Sequence, residues 1–201
     1  KTALLETVNV SFNRISVDGD TSTNDTCLVL ANGLAGNAEI IEKGPDYEAF
    51  LAALRTLCVE LAKKMASDGE GAKHLITCSV AGAKSEASAE IIAKSVVSST
   101  LTKAAIFGAD ANWGRVLCAM GYSGEDFDPD KVDVHFASAA GDIAVCEQGR
   151  GLDFDEELAK TILTEHDVEI LISMGEGQGT CTCWGCDITY DYIKINGDYR
   201  T

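Results

Sequence analysis

HLITCSVA at residues 74–81 and the segment from Ser85 to about Thr102 together decide the fold class. The first stretch is a short apolar run with β-branched residues, which is typical of a buried strand. The second stretch carries Ile91, Ile92 and Val96 at helical spacing. KAAIF at residues 103–107 is again short and apolar, so the order strand, helix, strand predicts an α/β fold.

Upstream of this unit, the spacing of apolar residues predicts a helix over residues 1–12. The turn-forming stretch SVDGDTSTNDT at 16–26 predicts a polar loop, and CLVLA at 27–31 predicts a buried strand after it. Asp46 is a good N-cap for a long helix whose apolar residues recur from Phe50 to Met65. This helix is expected to end before the DGEG turn at 68–71.

Downstream, the pattern leans towards antiparallel strands. GADANWGR at 108–115 predicts a loop that opens a short helix, and GEGQG at 175–179 is interpreted as a hairpin turn. The remaining predicted elements are strands at 132–137 and 143–147, a helix at 155–164, strands at 167–174 and 180–189, and one helical turn after Tyr190. GEGQG lacks the G-x-G-x-x-G spacing and is not followed by a helix pattern, so a dinucleotide site is disfavoured.

Composition bounds the function classes. The chain has 201 residues, of which 46% are apolar and 24% charged, and this is enough to bury one sizeable core. One or two compact lobes are expected. A net charge of −16 without any cluster of lysine or arginine argues against nucleic acid as a partner. The acidity fits either a solubility role or a cationic ligand or basic subunit. No apolar run approaches the ~20 residues that a membrane span needs.

The eight cysteines mostly lie in apolar runs, where a free thiol behaves as a small buried residue, and this favours a reducing cytoplasm. Cys181, Cys183 and Cys186 offer three thiolates, but a structural zinc site needs four ligands, so a buried strand is the preferred interpretation. The spacing of Asp18 and Asp20 resembles the start of a calcium loop, but the required glycine and glutamate are missing. We therefore predict no metal site.

Candidate catalytic side chains are few. All three histidines lie at or near apolar runs and are interpreted as packing residues, and no G-x-S-x-G elbow is present. Glu70, between Gly69 and Gly71 in a helix-to-strand turn, is free to point into a cleft and neutralise a cationic ligand. From composition alone, a solvated turn residue is the simpler interpretation of Glu70.

Four strings in this order resemble the β subunit of the bifunctional ornithine acetyltransferase/glutamate N-acetyltransferase (ArgJ) family. They are SFNRISVDGDTSTNDT at 11–26, DGEGAK at 68–73, AIFGADANWGR at 105–115 and the ending CDITYDYIKINGDYRT. Together they span nearly the whole chain. The resemblance implies a DmpA/ArgJ-like α/β (α+β) fold, a layered α/β/β/α sandwich with mixed sheets, in which residues 1–201 are a single β-chain unit completed by an α chain.

The resemblance also implies a precursor that cleaves itself before a threonine, which then carries acetyl from N-acetylornithine to glutamate in arginine biosynthesis. A hydroxyl with a nearby amine as base suits such an acyl intermediate. The chain opens at Lys1 in what looks like the later part of the first β-chain helix, so we expect the nucleophile upstream of Lys1 and do not assign it to Thr2. No cofactor is expected, although acetyl-CoA could serve as a second acetyl donor.

Three substrate-binding positions carry over from the family, namely Glu70, Asn196 and Thr201. Glu70 is expected to pair with the ammonium group of ornithine, and the amide and hydroxyl of the other two suit the ends of an amino acid. The expected assembly is an α2β2 heterotetramer in the cytoplasm. Two other interpretations stay open, namely an N-terminal-nucleophile aminopeptidase or amidase of the same fold, and a chain that by itself is non-catalytic.

Overall fold

A computed structural model describes residues 1–199 of the chain. The helices are α1 (Thr2–Asn9), α2 (Pro45–Ser67), α3 (Glu86–Ser98), α4 (Thr100–Phe107), α5 (Trp113–Gly121), α6 (Glu156–Leu163) and α7 (Tyr190–Asp198). The strands are β1 (Ile15–Ser16), β2 (Leu75–Ala83), β3 (Asp133–Ser138), β4 (Gly141–Glu147), β5 (Arg150–Gly151), β6 (Asp167–Ser173) and β7 (Gly179–Cys186). The predicted α/β class is confirmed.

Within residues 1–199 the strands form one mixed sheet of seven strands in the order β1-β7-β2-β6-β3-β4-β5. β2 is parallel to β6 and antiparallel to β7, and β3 is antiparallel to both β6 and β4. The ends of β7 and β1 and the start of β2 therefore meet at one end of the sheet, which is where the candidate site lies.

The main core lies on one face of the sheet. Ile76, Cys78 and Val80 of β2 point towards α3, whose Ile92 and Val96 are fully buried. α5 and α6 extend this core over the rest of the same face. Polar side chains accept from the free backbone N–H groups at the helix starts; these are Ser85, Ser99, Asn112, Asp155 and Thr189 for α3 to α7.

The opposite face is covered unevenly. Ala66 of α2 packs on Leu75 and Trp184 at the end where β1, β7 and β2 meet. Farther along, a row of aligned side chains across five strands is only partly buried; it consists of Thr182, Ser79, Leu171, His135 and Ala144. The second sheet that the layered sandwich would place here is not found within residues 1–199.

Two predicted strands are wrong. Residues 103–107 belong to α4, because Ser99 caps a helix there and a run with two alanines fits a helix as well as a strand. Residues 27–31 have no regular structure, and Leu28 and Leu30 are 74% and 91% exposed. A strand needs a neighbouring strand to satisfy its backbone groups, and none within residues 1–199 pairs with this run.

Three smaller expectations are corrected. The N-cap of α2 is Gly44, and Asp46 lies inside the first turn, because Pro45 occupies the first helical position. GEGQG is not a hairpin turn, since β2 lies between β6 and β7. The loop instead crosses the end of β2, where Glu176 N and Gly177 N both donate to Gly82 O at 2.8 Å. α7 has nine residues rather than one turn.

Candidate functional site

Glu70 lies in the loop of residues 68–74 that joins α2 to β2, and it is exposed. The loop passes close to the end of β7 and the start of α7. A Cβ added to Gly69 would lie 2.7 Å from Cys186 Sγ, and one added to Gly71 would lie 2.8 Å from Asp191 Cβ. Gly71 also has φ +69°, which glycine adopts without strain. Both glycines are thus needed for the path of the loop.

Asn196 on α7 reaches the same loop. Its Nδ2 donates to Glu70 Oε2 at 2.6 Å and to Tyr192 O at 3.1 Å. The structure therefore brings together two residues that are 126 positions apart in the chain. Glu70 Oε1 and Asn196 Oδ1 take part in no hydrogen bond within residues 1–199, and both residues are exposed. The third predicted residue, Thr201, lies outside the described residues.

A buried carboxylate, that of Asp187, binds the end of the loop that carries Glu70. Asp187, 3% exposed, accepts from Lys73 N at 2.8 Å and His74 N at 3.0 Å, and its other oxygen lies 2.8 Å from His74 Nδ1. Burial alone raises the pKa of the Asp187 carboxyl, but these hydrogen bonds outweigh it and hold the pKa below its ordinary value. Asp187 is thus a charged group whose carboxylate binds Lys73 and His74 at the end of the Glu70 loop.

Thr189 and Tyr192 add two further links. Thr189 Oγ1 donates to Gly71 O at 2.7 Å and accepts from Tyr192 N at 3.2 Å, so one hydroxyl joins the loop to α7. Tyr192 Oη donates to Asp18 Oδ2 at 3.1 Å. Burial, together with the nearby carboxylates of Asp18, Asp20 and Glu70, raises the pKa of the Tyr192 hydroxyl. The surroundings of Glu70 are therefore rich in negative charge, which suits a cationic ligand.

Lys103 of α4 reaches the end of the sheet where β1 and β7 finish, and it is 1% exposed. Its Nζ donates to Cys186 O at 2.7 Å and to Ser16 O at 3.3 Å, so it ties β7 to β1. Burial lowers the pKa of its ammonium group, against the opposing effect of nearby Asp187 and Asp18. The side chain is too deeply buried to meet a ligand, and its role is to hold the sheet end together.

The sequence interpretation missed Asp187, Thr189 and Lys103, and it treated His74 as an ordinary packing residue. One signal was available: Lys103 and Asp187 are charged residues inside apolar runs, and charged residues are rarely buried without partners. Their partners, however, come from segments more than 80 positions away. The identity of the contacts could not be read from spacing.

Neither a metal site nor a membrane span is found in the described part of the chain. No cluster of three or more His, Cys, Asp or Glu side chains within residues 1–199 has a geometry that could hold a metal ion. Cys181, Cys183 and Cys186 are buried in β7, which confirms the predicted buried strand. No helix in this range combines the length and apolar character needed to cross a bilayer.

Comparisons with known proteins identify the family. A family model described as "ArgJ family" matches residues 1–201. The chain belongs to the ArgJ family. It is 52% identical over 199 residues to the Arginine biosynthesis bifunctional protein ArgJ 1 of Clostridium acetobutylicum, covering 99% of this chain and 49% of that protein. It is 51% identical over 201 residues to the corresponding ArgJ protein of Thermotoga neapolitana, covering 100% of this chain and 51% of that protein.

A solved ArgJ structure supports the same assignment. The crystal structure of the Arginine biosynthesis bifunctional protein from Bacillus halodurans superposes with a TM-score of 0.92 at 46% identity, covering 98% of this chain and 92% of that chain. This agrees with the predicted fold class. The chain spans about half the length of the curated ArgJ relatives that it matches.

Proposed function

We propose that this chain supplies the β half of an acetyltransferase of arginine biosynthesis, which moves acetyl from N-acetylornithine to glutamate. The observation that carries the proposal is the exposed Glu70–Asn196 pair, in which one carboxylate oxygen and one amide oxygen have no hydrogen-bond partner within residues 1–199 and other carboxylates lie nearby. N-acetylornithine carries a free ammonium group on its side chain, and both oxygens accept hydrogen bonds from such a group. Thr201 is proposed as a third contact.

The proposed transfer runs through a threonine upstream of Lys1. Its hydroxyl oxygen attacks the acetyl carbonyl carbon, the C–N bond breaks, and the hydroxyl proton leaves with the amine of ornithine. The amine of glutamate then attacks the acetyl-threonine ester, and the threonine oxygen regains a proton. This splits one difficult transfer into two easier steps and needs no metal. Acetyl-CoA is proposed as a possible second donor, not as a bound cofactor.

The proposed partner is the α chain from the upstream half of the same precursor, in an α2β2 assembly. Two observations support it. The curated relatives are about twice as long as this chain, whereas the solved Bacillus halodurans chain is covered to 92% and is therefore also about half their length. The partly buried row from Thr182 to Ala144 leaves a sheet face open, and a packed second sheet would bury it.

The test is intact-mass measurement of the two-chain enzyme after exposure to N-acetylornithine, beside this 201-residue chain alone. We expect acetyl on the longer β chain, loss of that acetyl when glutamate is added, and none on the short chain. Acetylation of the short chain would contradict the placement of the nucleophile.

Glu70→Gln in the two-chain enzyme tests the binding role. Glutamine keeps an oxygen for Asn196 but removes the negative charge, so we expect the KM for N-acetylornithine to rise on the order of tenfold, as loss of a charge-assisted contact implies. Glu147→Gln is the control, because Glu147 lies in β4 near the opposite edge of the sheet from β1 and β7. It should leave KM unchanged. An unchanged KM in Glu70→Gln would remove Glu70 from the site.

The same assay separates the rival interpretation. An aminopeptidase or amidase of this fold would form the same acyl-enzyme but release the acyl group to water. Free acetate in the absence of glutamate, at a rate equal to that of transfer, would favour the hydrolase.

A further inference from the structure

Two side chains that follow β7 hold both parts of the candidate site. Asp187 binds the end of the Glu70 loop through Lys73 N, His74 N and His74 Nδ1, and Thr189 joins Gly71 O to the start of α7. We propose that Asp187 and Thr189 are positioning residues that fix the Glu70 carboxylate against Asn196. The inference rests on the proposed role of Glu70 in binding the substrate's ammonium group.

Glu70 needs such support because of its neighbours. It stands between two glycines, which have the widest choice of backbone conformations, and its side chain is exposed. Left to itself, this carboxylate would sample many positions, and each binding event would have to order it again. A fixed loop removes that entropy cost before the ligand arrives.

Asp187 is suited to this role by its charge and by the placement of its hydrogen-bond donors. A buried carboxylate is costly unless its oxygens are hydrogen-bonded. Here one oxygen takes two consecutive backbone N–H groups and the other takes the imidazole, and all three donors come from Lys73 and His74. The hydrogen bonds therefore hold the C-terminal end of the loop in one orientation.

Thr189 acts on the other side of Glu70. Its hydroxyl donates to the carbonyl of Gly71, the residue directly after Glu70, and accepts from the backbone of Tyr192 one turn before Asn196. The loop that carries Glu70 and the helix that carries Asn196 are thus joined through one side chain. A shift of either element would open the 2.6 Å contact between Asn196 and Glu70.

The test is a double-mutant cycle in the two-chain enzyme, with the KM for N-acetylornithine as readout. We expect Asp187→Ala and Thr189→Val each to raise this KM on the order of tenfold, because misplacement of a binding group by about 1 Å is costly. In a Glu70→Gln background both should change it by less than about twofold, because the group that they position is already disabled. The KM for glutamate, which lacks a side-chain ammonium, should change little in either variant.

Two further variants separate positioning from stability. Asp187→Asn keeps an acceptor for the two backbone N–H groups and can donate to His74 Nδ1 instead, so it should restore the wild-type KM to within about twofold. Asp155→Ala is the matched control, because Asp155 Oδ1 also accepts two backbone N–H groups, at the start of α6, away from the site. It should lower stability without changing KM.

The outcomes are distinct. Full effects of Asp187→Ala and Thr189→Val on KM in the Glu70→Gln background would overturn the positioning role, as would an Asp187→Asn variant as impaired as Asp187→Ala. If Asp187→Ala does not fold, Thr189→Val decides. If Glu70→Gln alone leaves KM unchanged, Glu70 does not bind the ammonium group, and the positioning role falls with it; the acetyl transfer itself is judged separately by the intact-mass measurement.

Discussion

The loops of residues 17–43 and 68–74 contrast in how the chain supports them. Both contain glycines at positive φ, but the short loop is bound by Asp187 and Thr189, whereas the long loop exposes Leu30, Leu34 and Ile41 by 91%, 83% and 83%. The short loop is fixed by partners from the far end of the sequence. The long loop has apolar residues without a core to bury them within residues 1–199. Apolar character alone therefore does not determine whether a segment is buried against the rest of its chain.

The largest expected effect on the free energy of unfolding comes from removing a partner of the loop of residues 68–74. Asp187→Ala should lower the free energy of unfolding by about 3–5 kcal/mol, because it leaves two backbone N–H groups and an imidazole without their buried partner. Urea denaturation of the variant and the wild type measures this. A loss below about 1 kcal/mol would mean that water or a shifted side chain replaces the carboxylate.

A matched pair of glycines compares the two loops directly. Gly71 and Gly33 have φ of +69° and +72°. An added Cβ would lie within 3 Å of Asp191 Cβ and Tyr192 N at Gly71, but at Gly33 it would have no atom of residues 1–199 within 4 Å. Both alanine variants carry a left-handed strain of about 1 kcal/mol. Overpacking should add about 1–3 kcal/mol at Gly71 alone.

Thermal unfolding of both glycine variants measures the difference. Gly71→Ala should melt clearly below Gly33→Ala. Equal melting temperatures would show that the short loop moves away from α7 at no cost, and the contrast between the loops would then be lost.

The sequence predicts most of the helices and strands, but it does not predict the tertiary contacts that support the candidate site. Patterns within each segment predict the helices α2, α3 and α6 and the strands β2, β3, β4, β6 and β7, and the GADANWGR loop predicts α5. Glu70 and Asn196 came from the resemblance to a family, and the structure then brings them into contact. The supports of that contact, Asp187 and Thr189, are matters of tertiary pairing across more than 100 positions, which no local pattern contains.

The two wrong strands have one cause. CLVLA at 27–31 and KAAIF at 103–107 are equally short and apolar. One becomes a helix because Ser99 offers a cap and Lys103 finds two carbonyl acceptors at the sheet end. The other finds no neighbouring strand within residues 1–199. For runs of five residues, the surroundings decide the outcome, and periodicity cannot.

Acid should weaken the supported loop selectively. Because the folded pKa of Asp187 lies below its ordinary value of 3.8, its ionised form stabilises the fold above about pH 4, and that contribution is lost as the pH falls through the folded value. Urea midpoints between pH 6 and pH 2.5 should fall more steeply for the wild type than for Asp187→Asn. Parallel curves would mean that Asp187 has the same pKa in the folded and unfolded chain.

The smallest effect is expected in the long loop. Leu30 is 91% exposed, so Leu30→Ser removes almost no buried apolar surface and should change the free energy of unfolding by less than about 0.5 kcal/mol. Leu51→Ser is the matched control, because Leu51 of α2 is 2% exposed and its loss leaves a cavity that also has to hold a hydroxyl. Urea denaturation of both variants should separate them by several kcal/mol, as truncation of a buried leucine implies. A loss at Leu30 comparable to that at Leu51 would mean that the long loop is packed by its own chain after all, and the two loops would then differ in sequence but not in support.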